Sequence, residues 1–318
     1  MAAASVALSS VVQTPSLCNG RDSRASGQEA TTSAVSFSSR TVYTSLSSLL
    51  PSVFQAKNFS GYSKSRAKYA RNVVKAAASS ARSDEEIREF CLKQFSARKA
   101  LKVIAGLHNF DRKSVADVVI AAEKGGATHV DIACDADLVR LAASLTSLPV
   151  EIGNYDGFYK SGRVFSAEEV LDLTRRTRSL LPKVVLSVTV PHTLPLDEQV
   201  SLAEKLETAG ADLIQTEGGT SSAPSAPGVH GLIEKAAPTL AAAWSISRAV
   251  KVPVICASGL SDVTSPMAIT AGAAGVGIGS AVNKLNDQLA MIAAVRSIAD
   301  SLGLPARSNT LLSSMVAH

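Results

Sequence analysis

The feature that most constrains the fold of this chain is an alternation of short apolar, β-rich segments with amphipathic helical segments. Apolar runs bounded by small residues predict strands at residues 102–107, 128–135, 150–156, 183–190, 212–219, 252–260 and 271–282. Helical periodicity and N-cap residues predict helices at residues 83–97, 113–124, 136–145, 166–180, 196–209, 232–250 and 287–302. Strands that alternate with helices in this way form a parallel sheet covered by the helices.

Small-residue segments recur in front of the strands, as in GGATHV, TAGADLI and AGAAGVGI. Their recurrence indicates one βα unit repeated many times. We therefore predict an α/β fold of the TIM (βα)8 barrel type. A doubly wound sheet is the alternative, but it usually carries its glycine-rich phosphate turn early in the chain, and here the glycine-rich turns come last.

Only seven strands are predicted, and the gap lies near residue 150. The tripeptide VPV at 252–254 begins a strand, so LPV at 148–150 should begin one too. Instead the chain runs from Val150 directly into EIGNYD, which resembles the end of a strand without its own preceding small residues. We predict that one βα unit, on the order of 20 to 30 residues, is missing there. A skipped exon or a gene-model error is our hypothesis, because a seven-stranded barrel leaves unpaired edges.

The last two predicted strands end in turns of small residues, Ser258-Gly259 and Gly277 to Ser280. In a (βα)8 barrel the loops after the last two strands commonly hold a phosphate, because backbone N–H groups converge there. Glycine allows an oxyanion to approach those N–H groups. We expect a phosphate site formed by Ser258, Gly259, Gly277, Gly279 and Ser280, the alternative being that these glycines only allow tight packing.

Catalytic groups in such barrels lie at the carboxyl ends of the strands. This rule selects Asn109, Asp131, Asp135, Asn154, Asp156, His192 and Glu217, of which Glu217, His192, Asp131 and Asn154 are our catalytic candidates. Strand alternation directs Ser187 and Thr189 towards the lumen.

The leading candidates each have a structural alternative. His192 suits a general acid or base or an anion holder, or else caps the next helix. Glu217 suits proton abstraction or a hydroxyl contact, or else is a buried carboxylate bonded to backbone N–H groups. Asp131 is also positioned to pair with Lys102, which would be structural.

The amino-terminal segment differs in composition from the rest of the chain. The first 82 residues hold ten Lys or Arg and two acidic residues, while the whole chain carries +5, so the remainder is weakly acidic at −3. An acidic body argues against nucleic-acid binding, and no apolar run suits membrane insertion. The Ser-rich, acid-poor leader is typical of a chloroplast transit peptide, the alternative being a disordered tail. We expect a transit peptide at 1–76, a helix that plugs or flanks the barrel within 77–99, the barrel at 100–305 and a tail at 306–318.

Three cysteines follow the leader, Cys91, Cys134 and Cys256, without metal-ligand spacing. We expect them to be reduced and mostly packed, with Cys134 and Cys256 as weak reactive candidates. No metal site is predicted.

Six motifs resemble the hypothetical chloroplast reading frame 23 family of plastids and their bacterial relatives. They are KVIAGLHNFD, GGATHVDIACD, EIGNYDGFY, VTVPHTLPLDEQ, IQTEGG and GAAGVGIGSAV, in this order between residues 102 and 282. The resemblance implies an aldolase-type barrel without an assigned activity, located in the chloroplast stroma. It also implies a further strand and helix between LPV and EIGNYD, which this chain lacks.

Three functions compete. The first is an enzyme of isomerase or lyase type acting on a small phosphorylated metabolite. The second is an FMN-dependent oxidoreductase, since the last two strands are similar to the flavin-phosphate turns of nitronate monooxygenase-like barrels, although AGLHNF lacks the Gly/Met-rich pattern expected near the flavin ring. The third is a non-catalytic stromal binding or assembly factor. A homo-oligomer is compatible with all three.

Overall fold

The fold was analysed in a computed structural model that describes residues 83–106, 108–153, 163–218 and 224–306. Seven strands form one parallel sheet. They are β1 (Ala100–Ile104), β2 (His129–Ala133), β3 (Val150–Gly153), β4 (Ser187–Thr189), β5 (Leu213–Gln215), β6 (Val254–Ala257) and β7 (Gly275–Ile278).

Nine helices accompany the strands in the described part of the chain. They are α1 (Asp84–Ser96), α2 (Arg112–Gly125), α3 (Ala136–Leu145), α4 (Ala167–Leu180), α5 (Leu196–Thr208), α6 (Gly228–Ala249), α7 (Ser265–Thr270), α8 (Ser280–Asn283) and α9 (Gln288–Ser301).

Side-chain caps fix the starts of the longer helices. Ser83 and Ser166 each form a capping box with the glutamate three residues later, at the starts of α1 and α4. Asp111, Asp135 and Asp287 cap α2, α3 and α9 by accepting hydrogen bonds from backbone N–H groups. These polar residues precede apolar periodic segments, and for that reason the predicted helix boundaries lie close to the observed ones.

The sheet has the strand order β3-β2-β1-β7-β6-β5-β4, which is the order of a barrel opened between β3 and β4. The two edge strands nevertheless come together at one small cavity. Pro149 and Glu151, at β3, line this cavity with Val185, which precedes β4, and Leu213 of β5. The sheet is therefore a curled, incomplete barrel, and the predicted parallel barrel with one missing unit is confirmed.

Alternation along the strands separates an outer from an inner layer. Leu101 and Val103 of β1, with Val130 and Ile132 of β2, pack outwards against the helices. Val188 of β4 also belongs to an outer cluster, as the alternation of residues 183–190 predicts. The hydrophobic effect thus holds the helices to the outside of the sheet and leaves the polar positions for the lumen.

Helix α1 closes the amino-terminal end of the barrel. Phe95 and Cys91 are buried in a cluster with Ala100, Leu213, Ile255 and other residues at the strand starts. Arg88 of α1 forms an ion pair with Asp212, and Asp212 also accepts a hydrogen bond from Arg178 Nη2 at 2.7 Å. These cations outweigh the effect of burial, so the pKa of Asp212 is lowered. Helix α1 lies within the segment 77–99, for which a plugging or flanking helix was expected.

Two short helices were not predicted. Helix α7 lies in the segment between the last two strands, and α8 begins at Ser280, inside the run predicted as one long strand. Helix α6 also begins one turn earlier than predicted, at Gly228. A helix of four to six residues has too few turns to show periodicity, so the apolar content of these segments favoured a strand or a loop.

Candidate active site at the carboxyl ends of the strands

His192 and Glu217 meet at the mouth of the incomplete barrel. The Nδ1 atom of His192 lies 2.7 Å from Glu217 Oε2, and the backbone N–H of His192 donates to the same oxygen at 3.2 Å. The two side chains are 29% and 15% exposed, so the pair is accessible but largely shielded from water. The structure thus brings together two residues that the sequence placed on different strands.

The pairing of β4 with β5 explains why these side chains meet. Val188 is in register with Ile214, and Thr189 with Gln215. The N–H of Val190 donates to Gln215 O, which extends the ladder by one step beyond the strands. Pro191 ends the ladder, because proline has no N–H for a ladder bond. Continuing the register places Pro191 opposite Glu217, so His192 follows one residue beyond it and can reach its carboxylate.

Glu217 changes the acid–base behaviour of His192. The hydrogen bond with Glu217 raises the pKa of His192 above its ordinary value, while partial burial works in the opposite direction. A raised pKa keeps the imidazolium form present to higher pH. The pair is therefore suited to donate a proton or to hold an anion near neutral pH.

The Ser258-Gly259 turn after β6 lies next to this pair. A Cβ atom added to Gly218 would lie 3.2 Å from Ser258 Oγ, so the residue after Glu217 packs directly on the turn. Ser258 has φ +84° and Gly259 φ +71°. The left-handed conformation is unusual for serine, and such backbone strain is concentrated at functional sites.

The turn after β7 lies beside the turn after β6. Ala257 of β6 is in register with Gly277 of β7, so Gly259 and Gly279 occupy equivalent positions two residues further on. Gly279 is the N-cap residue of α8, which begins at Ser280, and Asn283 Nδ2 donates to Ile104 O at 2.8 Å. The predicted phosphate-site residues therefore lie in or next to the turns that follow two adjacent strands.

The glycines of this site differ in what surrounds them. Gly277 is buried within β7, where an added Cβ would come within 2.9 Å of Ala257 Cβ, so the packing explanation applies to it. At Gly259 an added Cβ would lie 2.5 Å from Lys235 O. At Gly279 the nearest atom would be Ile104 O at 3.6 Å, an ordinary contact. Of these three glycines, only Gly279 therefore has room for a side chain.

Asp131 lies in the lumen, within a buried ionic cluster. Lys102 Nζ is 2.7 Å from Glu151 Oε2 and 3.4 Å from Asp131 Oδ2, and all three side chains are at most 7% exposed. Burial works to lower the pKa of Lys102, but the two carboxylates outweigh it, so the pKa is raised. The predicted pairing of Asp131 with Lys102 is confirmed, which favours its structural role.

Glu151 was not recognised from the sequence as a member of this cluster. It lies in the segment where a strand start is joined to a strand end, and so its neighbours could not be assigned from strand order. The sequence did offer one signal, a glutamate within the apolar strand segment VEIG. A buried carboxylate requires a cation or hydrogen-bond donors, so this glutamate indicated a partner.

Two further candidates have structural partners. Asn109 donates from Nδ2 to Ala105 O at 3.1 Å and to Ser114 Oγ at 2.9 Å, which joins the β1–α2 loop to α2. Asp135 accepts from the N–H groups of Asp137 and Leu138 as the cap of α3. Asn154 and Asp156 lie outside the described residues.

The cysteines depart in part from expectation. Cys91 and Cys256 are buried, and burial raises the pKa of Cys256 to about 11, which argues against thiolate reactivity. Cys134 is exposed, whereas most of the cysteines were expected to be packed. Desolvation and Asp135 raise the pKa of its thiol.

Metal-ion clusters and membrane-spanning helices are absent from the residues that the structure describes. No three His, Cys, Asp or Glu side chains there are arranged to hold a metal ion. None of the described helices combines the length and apolar character needed to cross a bilayer.

Several solved structures show distant similarity to this chain. (S)-3-O-geranylgeranylglyceryl phosphate synthase from Thermoplasma acidophilum is 16% identical, with a TM-score of 0.46 over 67% of this chain and 97% of that one. Thiamine phosphate pyrophosphorylase from Pyrococcus furiosus is 16% identical, with a TM-score of 0.42 over 65% and 96% of the two chains. Similarity at this level does not bear on activity.

Curated relatives are much closer in sequence. "Uncharacterized protein ycf23" of Porphyra purpurea is 38% identical over 219 residues, covering 62% of this chain and 83% of the relative. The protein of the same name from Cyanophora paradoxa is 40% identical over 217 residues, covering 61% and 89%. The alignment with the Porphyra protein is 219 residues long but covers only 62% of the 318 residues of this chain, about 197. About 22 residues of the Porphyra protein therefore have no counterpart here.

The match to a protein family is divided near residue 150. A family described as "Protein of unknown function (DUF561)" matches residues 87–150 and again residues 149–306. The division coincides with the predicted missing unit and falls at Val150, the first residue of the edge strand β3. The chain therefore belongs to the DUF561 family, together with the ycf23 proteins, and the resemblance based on its motifs is confirmed.

Proposed function

We propose that this protein binds a small phosphorylated metabolite at the turns after β6 and β7, and that His192 and Glu217 perform acid–base chemistry on it. The reaction class is isomerisation or bond cleavage next to a carbonyl or hydroxyl group. The observation that carries the proposal is the hydrogen bond between His192 and Glu217 beside the strained Ser258-Gly259 turn.

The geometry supports separate roles for the two parts of the site. Backbone N–H groups of the turns at Gly259 and Gly279 suit the phosphate, since anions are held where such groups converge. His192 Nδ1 is hydrogen-bonded to Glu217 Oε2, so we assign proton exchange with a substrate to Nε2. Glu217 would thus orient the ring and stabilise its cationic form.

We further propose that the protein acts in the plastid stroma. The support is the Ser-rich, acid-poor amino-terminal segment. Fusion of residues 1–82 to a fluorescent protein should direct it to plastids in plant cells. A cytosolic or mitochondrial signal would contradict this location.

The binding proposal is tested with the full-length chain and phosphorus NMR or calorimetry. Inorganic phosphate and a panel of triose and sugar phosphates should bind, and Gly279→Ala should weaken binding at least about tenfold, or 1.4 kcal/mol. Ser144→Ala, at an exposed position of α3, is a comparison substitution away from the mouth. Equal binding by Gly279→Ala and wild type would contradict the proposed phosphate position.

Catalysis is tested separately from binding. His192→Gln and Glu217→Gln should retain phosphate binding but abolish turnover of any substrate found in the panel. Binding without turnover of any compound would instead favour the non-catalytic function. A purified protein with the visible absorbance of bound flavin would favour the FMN-dependent function.

A further inference from the structure

The solvent-facing side of α6 is unusually apolar for an exposed helix. Residues 236–247 contain no charged residue, and Trp244, the single tryptophan of the chain, is 52% exposed. Val229, Ile233 and, on the adjacent α7, Met267 are also exposed apolar side chains. By contrast, most exposed positions of α4 are charged, as at Asp172 and Arg176. Contiguous exposed apolar surface commonly marks a protein–protein contact.

Six of the exposed positions of α6 follow the spacing of a helix that packs along another helix. They alternate at intervals of four and three residues, at His230, Glu234, Ala237, Ala241, Trp244 and Arg248, and the other exposed positions, at residues 228, 229, 233 and 238, flank them. We name these six residues the α6 seam. Ala237 and Ala241 at its centre allow close approach of a second helix, and tryptophan and arginine are the residue types most enriched among energetically dominant contacts.

The charges at the two ends of the seam indicate which partner fits it. Glu234 and Arg248 are 14 residues apart, about 21 Å along a helix. Two α6 helices packed antiparallel would place Glu234 of each copy near Arg248 of the other. Parallel packing would instead place like charges together, which is unfavourable. The seam is thus complementary to itself under a twofold axis.

We propose that the protein forms a twofold-symmetric dimer in which the α6 seams of two copies pack antiparallel. The interface is isologous, as in most homodimers. Arg248 already lies over the Trp244 ring, with its guanidinium carbon 3.1 Å from the ring centroid, and its Nη1 donates to Ala271 O at 3.1 Å. These contacts hold both side chains in place before association. This proposal is independent of the chemistry at the barrel mouth.

Sedimentation analysis of the full-length chain tests the dimer. Ala241→Glu places two like charges at the centre of the interface and should raise the dimer dissociation constant at least about tenfold, or 1.4 kcal/mol. Glutamate is a good helix former, so the exposed helix should tolerate it. Ala143→Glu, at an exposed alanine of α3, is the matched control and should dimerise like wild type. Trp244 emission should shift to shorter wavelength with increasing concentration in wild type and Ala143→Glu only.

Charge reversal tests the antiparallel arrangement. Glu234→Arg and Arg248→Glu should each weaken the dimer, whereas the double variant should regain at least half of the lost association free energy. A chain that stays monomeric at tens of micromolar would overturn the proposal, as would equal dimerisation of Ala241→Glu and Ala143→Glu. A double variant weaker than either single variant would overturn the antiparallel pairing.

Discussion

The acid–base properties of His192 depend on Glu217, and this dependence can be measured. In Glu217→Gln the neutral amide no longer stabilises the imidazolium, so the pKa of His192 should fall below its wild-type value. Nitrogen-detected NMR titration of the imidazole, assigned by comparison with His192→Gln, reports the change. An unchanged pKa would show that the hydrogen bond at 2.7 Å does not control the ring.

The sign of the pH dependence follows from the same bond. Because the pKa of His192 is raised in the folded protein, the pair stabilises the fold most fully below the unfolded-state pKa. That contribution is lost as the pH rises through the folded-state pKa. Wild-type stability should therefore decline relative to Glu217→Gln as the pH rises through that range, as measured by urea unfolding at a series of pH values.

Lys102 should be indispensable to the lumen as long as its two carboxylates remain. Lys102→Met would leave Asp131 and Glu151 buried without their cation, and breaking a buried pair typically costs about 3 to 5 kcal/mol. Urea unfolding at pH 7 should show this loss. The variant Lys102→Met/Asp131→Asn/Glu151→Gln should regain part of the stability. A neutral effect of Lys102→Met would contradict the ionic role.

Among single residues, the sequence predicted positions better than partners. Placing His192 and Glu217 at strand ends was sufficient to bring them to the mouth, because parallel strands end on the same side. The Lys102–Glu151 bond could not be foreseen, since it depends on β3 occupying the position next to β2. Interactions between residues distant in sequence require the strand order, which local patterns do not contain.

Two glycines at the end of β7 differ in what their surroundings allow. Gly277→Ala should destabilise the fold by about 1 to 3 kcal/mol, because its Cβ would overlap Ala257 Cβ at 2.9 Å. Gly279→Ala, with its nearest neighbour at 3.6 Å, should leave the unfolding free energy within about 0.5 kcal/mol of wild type. Equal destabilisation by the two substitutions, in the same urea experiment, would contradict this distinction.

At the level of elements, the helices were predicted more accurately than the strands. Caps such as Ser166 and Asp135 mark helix starts by a local hydrogen bond, so their positions can be found in the sequence. Strand ends depend on where a neighbouring strand stops pairing, and the apolar run at 271–282 continues into α8. For this reason that predicted strand was too long and the helix within it was missed.

At the scale of the whole molecule, the divided family match corresponds to a barrel that is open. Strands β3 and β4 are the edges of the sheet, and each has one neighbouring strand where a closed barrel would provide two. The gap was predictable because LPV has the pattern of a strand start and EIGNYD that of a strand end, yet the two are joined directly. The curling of the edges towards one cavity was not predictable, since it depends on packing around Phe95 and Glu151.

Restoring the missing unit should close the barrel. Insertion at Val150 of a strand-and-helix segment from a ycf23 relative should supply a strand between the present edges. Glu151 would then belong to the strand next to β4, and amide hydrogens of β4 should exchange at least about tenfold more slowly, equivalent to 1.4 kcal/mol of added protection. A Gly/Ser insertion of equal length is the control, because it lengthens the chain without providing a strand. Equal protection in the two insertions would show that chain length, rather than a missing strand, separates this protein from its relatives.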